Sequence, residues 1–187
     1  GDVHVRSMIP GYKMIQFSNH QNLGYECLEE PLQDQLDTEA CWIQLPDRIT
    51  SLLLEFQDDY RNDYFQGMVH GLKSVAEMTV MATSADIDGH HFSSSDGPEK
   101  IPSPSRALIV YDQYDGGLGF SEKIFRNLDG IIQNAIRLVR RCHCTHGCPV
   151  CVGNYKIDKR VILWAWENIF KTTSPPSDIK IMEDLAA

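Results

Sequence analysis

Four cysteines, the residues of this chain best suited to chemistry, stand within ten positions at Cys142, Cys144, Cys148 and Cys151. Three residues separate the Cys-x-Cys pair from the Cys-Pro-Val-Cys pair, so all four sulfur atoms can reach one ion without a long-range contact. Four thiolates form the closed tetrahedral site that is typical of structural zinc. The spacing therefore predicts one zinc ion per chain. An iron–sulfur cluster or a redox-active thiol pair would use the same residues and stays open as an alternative.

Disulfide bonds are a poorer interpretation of these cysteines. Cys-x-Cys pairs do not readily meet the Cα separation of a disulfide, and two crossed bonds within ten residues would be strained. With six cysteines among 187 residues, the chain also lacks the density of a disulfide-built scaffold. We therefore expect a reducing, cytoplasmic compartment. The two remaining cysteines, Cys27 and Cys41, stand apart and are predicted to be small buried residues.

We call the ten residues 142–151 the knot. Two further predictions concern this segment. Pro149 stiffens the turn that follows Cys148, so the next backbone N–H groups should point at the Cys148 sulfur and stabilise its thiolate. His143 and His146 are expected to be exposed loop residues rather than ligands, because four thiolates already complete a tetrahedron.

The charge of the chain is unevenly distributed. Net charge is −9, and residues 1–60 contain eleven acidic against three basic residues. Residues 121–160 reverse this balance, with eight Lys and Arg against three acidic residues. This basic zone surrounds the knot. Its arginines fit contact with phosphate groups and, equally well, simple solvated capping of the helix that ends at the knot. Six of its cations are the candidate phosphate contacts: Arg137, Arg140, Arg141, Lys156, Lys159 and Arg160.

The bulk composition favours one globular unit, and the strands and helices predicted below assign it to the α+β class. A hydrophobic content of 42% with 23% charged residues is ordinary for such a domain, and no apolar run approaches the length of a membrane span. We expect no membrane partner. The first residue is Gly1 rather than Met, so we expect a fragment of a longer chain.

Residues 1–45 are predicted to form antiparallel strands. Pro10-Gly11 is typical of a turn, which predicts a hairpin between the strands on either side. The acidic stretch 26–37 is expected to be a loop, and residues 38–45 are expected to form a further strand.

Residues 46–187 are predicted to form a helical, zinc-binding unit. Apolar spacings of three and four predict a helix after Pro46, a second over residues 65–80, a third from about Ser121 to the knot, and a last one from Asp158 to about Lys171. Residues 107–111 form a short strand, and residues 89–105 are expected to be a mobile loop, since they are rich in Gly, Pro and Ser.

Two other features admit a functional and a structural interpretation. The glycine-rich turn over residues 115–119 is able to cradle a phosphate, but tight packing that only glycine permits is favoured, with Asp112 and Asp115 as turn formers. His70 lies beside an apolar helical stripe without a visible base or nucleophile, so we interpret it as a core or boundary residue. No catalytic residue is predicted.

The order of these elements resembles the C-terminal zinc-binding domain of the mitomycin repair factor A type helicases. The resemblance rests on the run Ala-Leu-Ile-Val-Tyr-Asp at 107–112, the Asp-Gly-Gly-Leu-Gly turn at 115–119, the four cysteines and the Asp-Lys-Arg at 158–160. It also includes Gly-Tyr-Lys at 11–13 and the segment around His70-Gly71-Leu72, and it covers about residues 3–171.

The resemblance implies that the four cysteines bind zinc and that the parent protein is an ATP-dependent DNA helicase of superfamily 2. The sequence contains no Walker A motif and no helicase Asp-Glu box, so ATP hydrolysis is not expected of this chain alone. Similar domains occur in DNA repair and in anti-phage defence. The expected partners are the helicase motor domains and single-stranded or forked DNA. Alternatively, the acidic N-terminal half binds a protein partner, or the knot is an iron–sulfur or redox centre.

Overall fold

A computed structural model describes residues 1–56, 63–93 and 106–171 of the chain. These described ranges contain four strands and five helices, which confirms the α+β class. In chain order these are β1 (Asp2–Ile15), β2 (Asn22–Gln44), α1 (Asp47–Glu55), α2 (Tyr64–Val80), β3 (Ile87–Ser93), β4 (Arg106–Asp112), α3 (Phe120–Arg126), α4 (Leu128–Arg141) and α5 (Lys159–Asn168). No helix in the described ranges has the length and apolar character needed to cross a bilayer.

The strands form one antiparallel sheet in the order β1-β2-β4-β3. In β4, the side chains of Leu108 and Val110 are buried, whereas those of Ala107, Ile109 and Tyr111 are only half-buried. This alternation with a period of two shows that the helices cover one face of the sheet and leave the other open. The sheet joins residues of the predicted strand-rich segment 1–45 to strands that lie within the predicted helical segment 46–187.

The N-terminal half differs from its prediction in two places. Strand β1 runs straight through Pro10-Gly11, where the pairing with β2 shifts register between Ile9 and Gly11 instead of turning. Proline is tolerated at such an irregularity because no ladder hydrogen bond is required of it there. The chain turns later, over residues 17–19, where the N–H of His20 donates to the carbonyl of Gln16.

The acidic stretch 26–37 is strand, not loop, because it pairs with β1 from Leu36, opposite Val5, to Glu26, opposite Tyr12. Most side chains on both faces of this two-stranded ribbon are exposed. A strand exposed on both faces needs no alternation of apolar and polar residues, so its sequence carries no period that would reveal it. Cys27, predicted to be buried, is exposed on this ribbon, whereas Cys41 is buried in the sheet as expected.

The loop predicted over residues 89–105 is also wrong in its first part. Residues 89–93 belong to β3, with Gly89 opposite Val110 and Phe92 opposite Ala107 of β4. Gly89 lies against α2, since a Cβ atom there would come within 2.8 Å of Val69 Cγ1. The remaining positions, 94–105, lie outside the described residues.

The helices agree more closely with the periodicity. The apolar residues of α2 and α4 enter the core, and the Asp158 carboxylate accepts a hydrogen bond from the N–H of Arg160 at the start of α5, as predicted for a cap. The predicted third helix is two helices, because the backbone at Asn127 leaves the helical region with φ of −111° between α3 and α4. The last helix ends at Asn168 rather than near Lys171.

Replacing Gly130 with alanine should raise the free energy of unfolding by about 0.5–1 kcal/mol. Gly130 lies in α4, where an added Cβ would meet no atom within 4 Å, so alanine restricts the unfolded chain without a native clash. Chemical denaturation measures the change. The matched control is Gly67→Ala in α2, where the added Cβ would lie 3.1 Å from Ile162 Cδ1 and no gain is expected. Equal effects at the two positions would contradict the prediction.

Candidate metal centre

The sulfur atoms of the four cysteines converge on one point. Cys142 and Cys148, Cys144 and Cys151, and Cys148 and Cys151 each have their sulfur atoms 3.6 Å apart, and all four ligand atoms lie within 4.8 Å of one another. A tetrahedron of sulfurs around zinc has edges of about 3.8 Å, given a Zn–S distance of about 2.3 Å. The four cysteines therefore fit a single zinc ion, and their donor set is that of a closed structural site.

The knot is held between two helices and the core. Helix α4 ends at Arg141, and Cys142 follows in extended conformation with its N–H still donating to the carbonyl of Leu138. At the other end, Cys151 and Val152 are buried in the hydrophobic core. The first ligand is thus placed by a helix end and the last by core packing, so the metal connects α4 to the interior of the domain.

Backbone hydrogen bonds prepare one thiol for metal binding. The N–H groups of Cys151 and Val150 lower the pKa of Cys148 to about 7, against the opposing effect of burial. This confirms that the N–H groups after Pro149 point at the Cys148 sulfur. Burial raises the pKa of Cys151, and hydrogen bonds with the neighbouring thiols raise it further, so ionisation of this sulfur is costly without a cation. A divalent ion removes that cost, since it binds all four sulfurs as thiolates.

The knot has little room for other side chains. An added Cβ at Gly147 would lie 2.1 Å from the carbonyl oxygen of Ile157, so only glycine fits between the knot and the segment before α5. The His143 and His146 side chains are exposed, as predicted, and neither belongs to the cluster of ligand atoms.

The six cations predicted to contact phosphates fall into two groups. Three are already engaged: Arg140 pairs with Glu167, Arg160 pairs with Asp158, and the Lys159 ammonium donates to the Cys142 carbonyl at 2.7 Å. The side chains of the other three are exposed and form no ion pair within the described part of the chain: Arg137, Arg141 and Lys156. Arg137 and Arg141 lie one turn apart on the solvent side of α4, opposite its buried stripe.

A groove of 590 Å³ runs between α2 and α4 and reaches the knot. Arg137 and Arg141 line it together with Met78 and Val150, whose side chains are 69% and 66% exposed. The groove thus combines two cations with apolar side chains beside the metal centre. Met78 and Val150 were missed in the sequence, because exposed apolar residues carry no signal that separates them from core residues.

The glycine-rich turn after β4 does not present its N–H groups to a ligand. The Asp112 carboxylate is fully buried and accepts hydrogen bonds from the N–H groups of Leu118, Phe120 and Ser121, at 2.7, 3.1 and 2.8 Å, and from the Ser121 hydroxyl at 2.6 Å. Three glycines with positive φ shape this turn: Gly116, Gly117 and Gly119. An internal carboxylate therefore takes the place of a phosphate, which favours the packing interpretation.

His70 is half-buried on α2, as expected of a boundary residue, but its contact was not predicted. The imidazole Nε2 lies 3.2 Å from the carbonyl oxygen of Val150, inside the second half of the knot. A contact across 80 positions cannot be read from local spacing.

Comparison with known proteins finds one matching family model and several similar helicases. Residues 68–152, which include the four cysteines, match the MrfA Zn-binding domain. The ATP-dependent helicase YprA of Bacillus subtilis is 26% identical over 153 residues, which are 82% of this chain and 19% of YprA. The ATP-dependent helicase HRQ1 of Saccharomyces cerevisiae is 26% identical over 130 residues, which are 63% of this chain and 11% of HRQ1.

Solved structures of the DUF1998 helicase MrfA have a similar fold. The structure bound to DNA matches 89% of this chain and 21% of MrfA, with a TM-score of 0.59 and 24% identity. The structure bound to DNA and AMPPNP matches 89% and 20%, with a TM-score of 0.58 and 25% identity. This chain therefore spans about a fifth of the length of YprA and of MrfA.

Proposed function

Residues 68–152 match the MrfA Zn-binding domain, and from this premise we propose that the chain is the structural zinc-binding part of an ATP-dependent DNA helicase. In this role it braces the motor domains and contacts the phosphates of a DNA strand. DNA repair and anti-phage defence are the two pathways in which such a helicase would act. ATP hydrolysis would belong to motor domains elsewhere, because this chain contains no Walker A motif.

The observation that carries the DNA contact is the groove beside the knot. Arg137 and Arg141 stand there without an ion pair to a described residue, and Lys156 is exposed five residues after the last cysteine. An arginine that already pairs with a carboxylate loses part of its attraction for phosphate, so Arg140 and Arg160 contribute less. The zinc ion would act only through structure, by holding the end of α4 and its arginines in place.

The number of unengaged cations sets the expected salt dependence. Three phosphate contacts to a single strand give a slope of about −2 in a plot of log K against log salt, since each contact contributes about −0.7. Affinity should then fall about 20-fold between 50 and 200 mM salt. Six contacts on duplex DNA would instead lower it on the order of a thousandfold.

Replacing Arg137 and Arg141 together with alanine should weaken DNA binding by about a hundredfold or more at low salt, because each of the two lost hydrogen bonds to a charged group contributes about 1.5–3 kcal/mol. The salt slope should become shallower by about 1.4. Fluorescence anisotropy with labelled single-stranded and forked DNA measures both quantities.

The matched control is the Arg6→Ala, Arg126→Ala double variant, which removes the same charge from exposed positions outside the groove. It should bind DNA nearly as the unmodified chain does. If both double variants lose the same affinity, the effect is one of net charge and the groove is not the binding surface. Absence of binding in low salt by the unmodified chain would refute the DNA contact itself.

The open face of the sheet supports a second candidate function, a docking module for a protein partner. Trp42 and Phe92 are 50% and 41% exposed there, beside Val3, Val5 and Ile109. A face that only water covers would carry polar residues at these alternating positions. The helicase motor is the proposed partner. Retention of a purified motor fragment by the immobilised chain, lost on Ile109→Glu and kept in the arginine double variant, would separate docking from DNA binding.

Zinc is favoured over the iron–sulfur alternative by the family and by the geometry of the four thiolates. Protein with a zinc site and protein with an iron–sulfur cluster differ in colour. A colourless protein with one zinc ion per chain by mass spectrometry is the expected result, whereas a brown protein that absorbs near about 400 nm would contain an iron–sulfur cluster.

A further inference from the structure

Two side chains from outside the knot hold its backbone, one at each half. His70, on α2, places its Nε2 atom 3.2 Å from the carbonyl oxygen of Val150, between the last two cysteines. Lys159, at the start of α5, donates from its ammonium group to the carbonyl oxygen of Cys142, the first cysteine, at 2.7 Å. Each half of the ligand set is thereby connected to a different helix.

Close packing holds the His70 imidazole in place. The knot continues into Gly153, whose φ of +78° is a left-handed conformation that favours glycine. An added Cβ at Gly153 would lie 3.0 Å from Cγ of His70, so the chain passes directly over the ring. Because a carbonyl oxygen only accepts, Nε2 of His70 must carry the hydrogen in this contact.

Lys159 makes two contacts with the knot. Besides the ammonium contact with Cys142, its backbone N–H donates to the carbonyl oxygen of His146 at 2.6 Å. The side chain is half-buried, which orders the ammonium group beside the metal ligands. Four thiolates around one divalent ion leave two net negative charges, so a fixed cation next to this group is electrostatically favourable.

We infer that His70 and Lys159 are positioning residues of the zinc centre, which hold the two cysteine pairs in ligating geometry and so determine how slowly the metal leaves. Most side chains of residues 143–150 are exposed, so the surrounding core alone restrains the middle of the knot weakly. Outer-shell groups that fix the ligands of a metal commonly change its affinity by about 10–100-fold. The inference concerns the metal centre and is independent of DNA binding.

Zinc transfer to an excess of a chromophoric chelator tests the inference on the zinc-loaded chain. His70→Ala and Lys159→Met should each release zinc about 10–100-fold faster than the unmodified chain. His70→Gln, whose amide can still donate, should recover part of the difference. The control Lys73→Met removes an ammonium group from the same helix as His70, where it pairs with Asp88 rather than with the knot, and should change the rate less than about twofold.

A second control, Ile162→Val, accounts for global destabilisation, because it loosens the buried core on α5 at a residue outside the knot that provides no hydrogen bond to it. Cobalt-loaded protein adds a spectroscopic readout, because distorted ligand geometry shifts the thiolate-to-cobalt absorption bands. Faster release with shifted bands in the His70 and Lys159 variants, and in neither control, is the expected result. Release within twofold of the unmodified chain, or equal acceleration in Ile162→Val at the same loss of thermal stability, would overturn the inference.

Discussion

Replacing Cys148 with serine should abolish stoichiometric zinc binding and unfold the C-terminal third of the domain. Structural zinc in small sites contributes on the order of 10 kcal/mol, and most domains are stable by only about 5–15 kcal/mol. Without zinc, the parts that lose stability are α4, α5 and the knot between them, since the metal connects these parts to the core. Strands β1 and β2 pair with each other along their length and should be less affected.

Hydrogen exchange with mass spectrometry checks this prediction residue range by residue range. Protection over residues 130–165 should fall to near that of the unfolded chain, while the paired strand residues retain most of theirs. Cys41→Ser is a useful control, because Cys41 is a buried cysteine of the sheet and does not belong to the metal cluster. Unchanged protection over 130–165 in zinc-free Cys148→Ser protein would show that the knot does not support the fold.

Replacing Asp112 with alanine should lower the free energy of unfolding by about 2–4 kcal/mol. The change leaves three backbone N–H groups of the glycine-rich turn without their acceptor, of which that of Ser121 is buried and those of Leu118 and Phe120 are partly buried. A buried donor without a partner costs about 1–3 kcal/mol, and a partly buried one costs less because water reaches it. The turn also joins the sheet to α3, because the Ser121 hydroxyl lies 3.0 Å from the carbonyl oxygen of Glu39 in β2.

Chemical denaturation with circular dichroism measures the loss. Asp112→Asn should fall between the parent and the alanine variant, since its single amide oxygen keeps some acceptors while its NH2 group faces donors. The control is Asp115→Ala, which removes an exposed carboxylate of the same turn and should have an effect within about 0.5 kcal/mol. Equal losses at Asp112 and Asp115 would mean that the buried hydrogen bonds contribute nothing specific.

Periodicity and local chemistry predicted much of this fold. The helices α1, α2, α4 and α5 follow from apolar residues spaced three and four apart, because a stripe on one side of a helix must face the core. The cap at Asp158 was also predictable from local sequence. A capping carboxylate accepts a hydrogen bond from a backbone N–H only a few residues further along the chain.

The predictions that are wrong share a different cause. Residues 26–37 become strand only because β1 lies beside them, with pairs such as Val5 and Leu36 that are far apart in the chain. Likewise, residues 89–93 become strand because β4 lies beside them. In both places, pairing with a distant segment overrode a local composition that favoured a loop, acidic in the first case and rich in Gly, Pro and Ser in the second.

The sequence by itself determined the metal centre, since four ligands within ten residues need only a short loop to converge. The tertiary structure alone decided which of the six cations remain free to contact phosphate. Arg140 donates a hydrogen bond to Glu167, 27 positions away, and Lys159 donates one to the Cys142 carbonyl, 17 positions away. The tertiary structure also placed His70 on Val150, 80 positions along the chain. Such contacts depend on how helices pack against one another, and packing is a property of the whole core that no local spacing encodes.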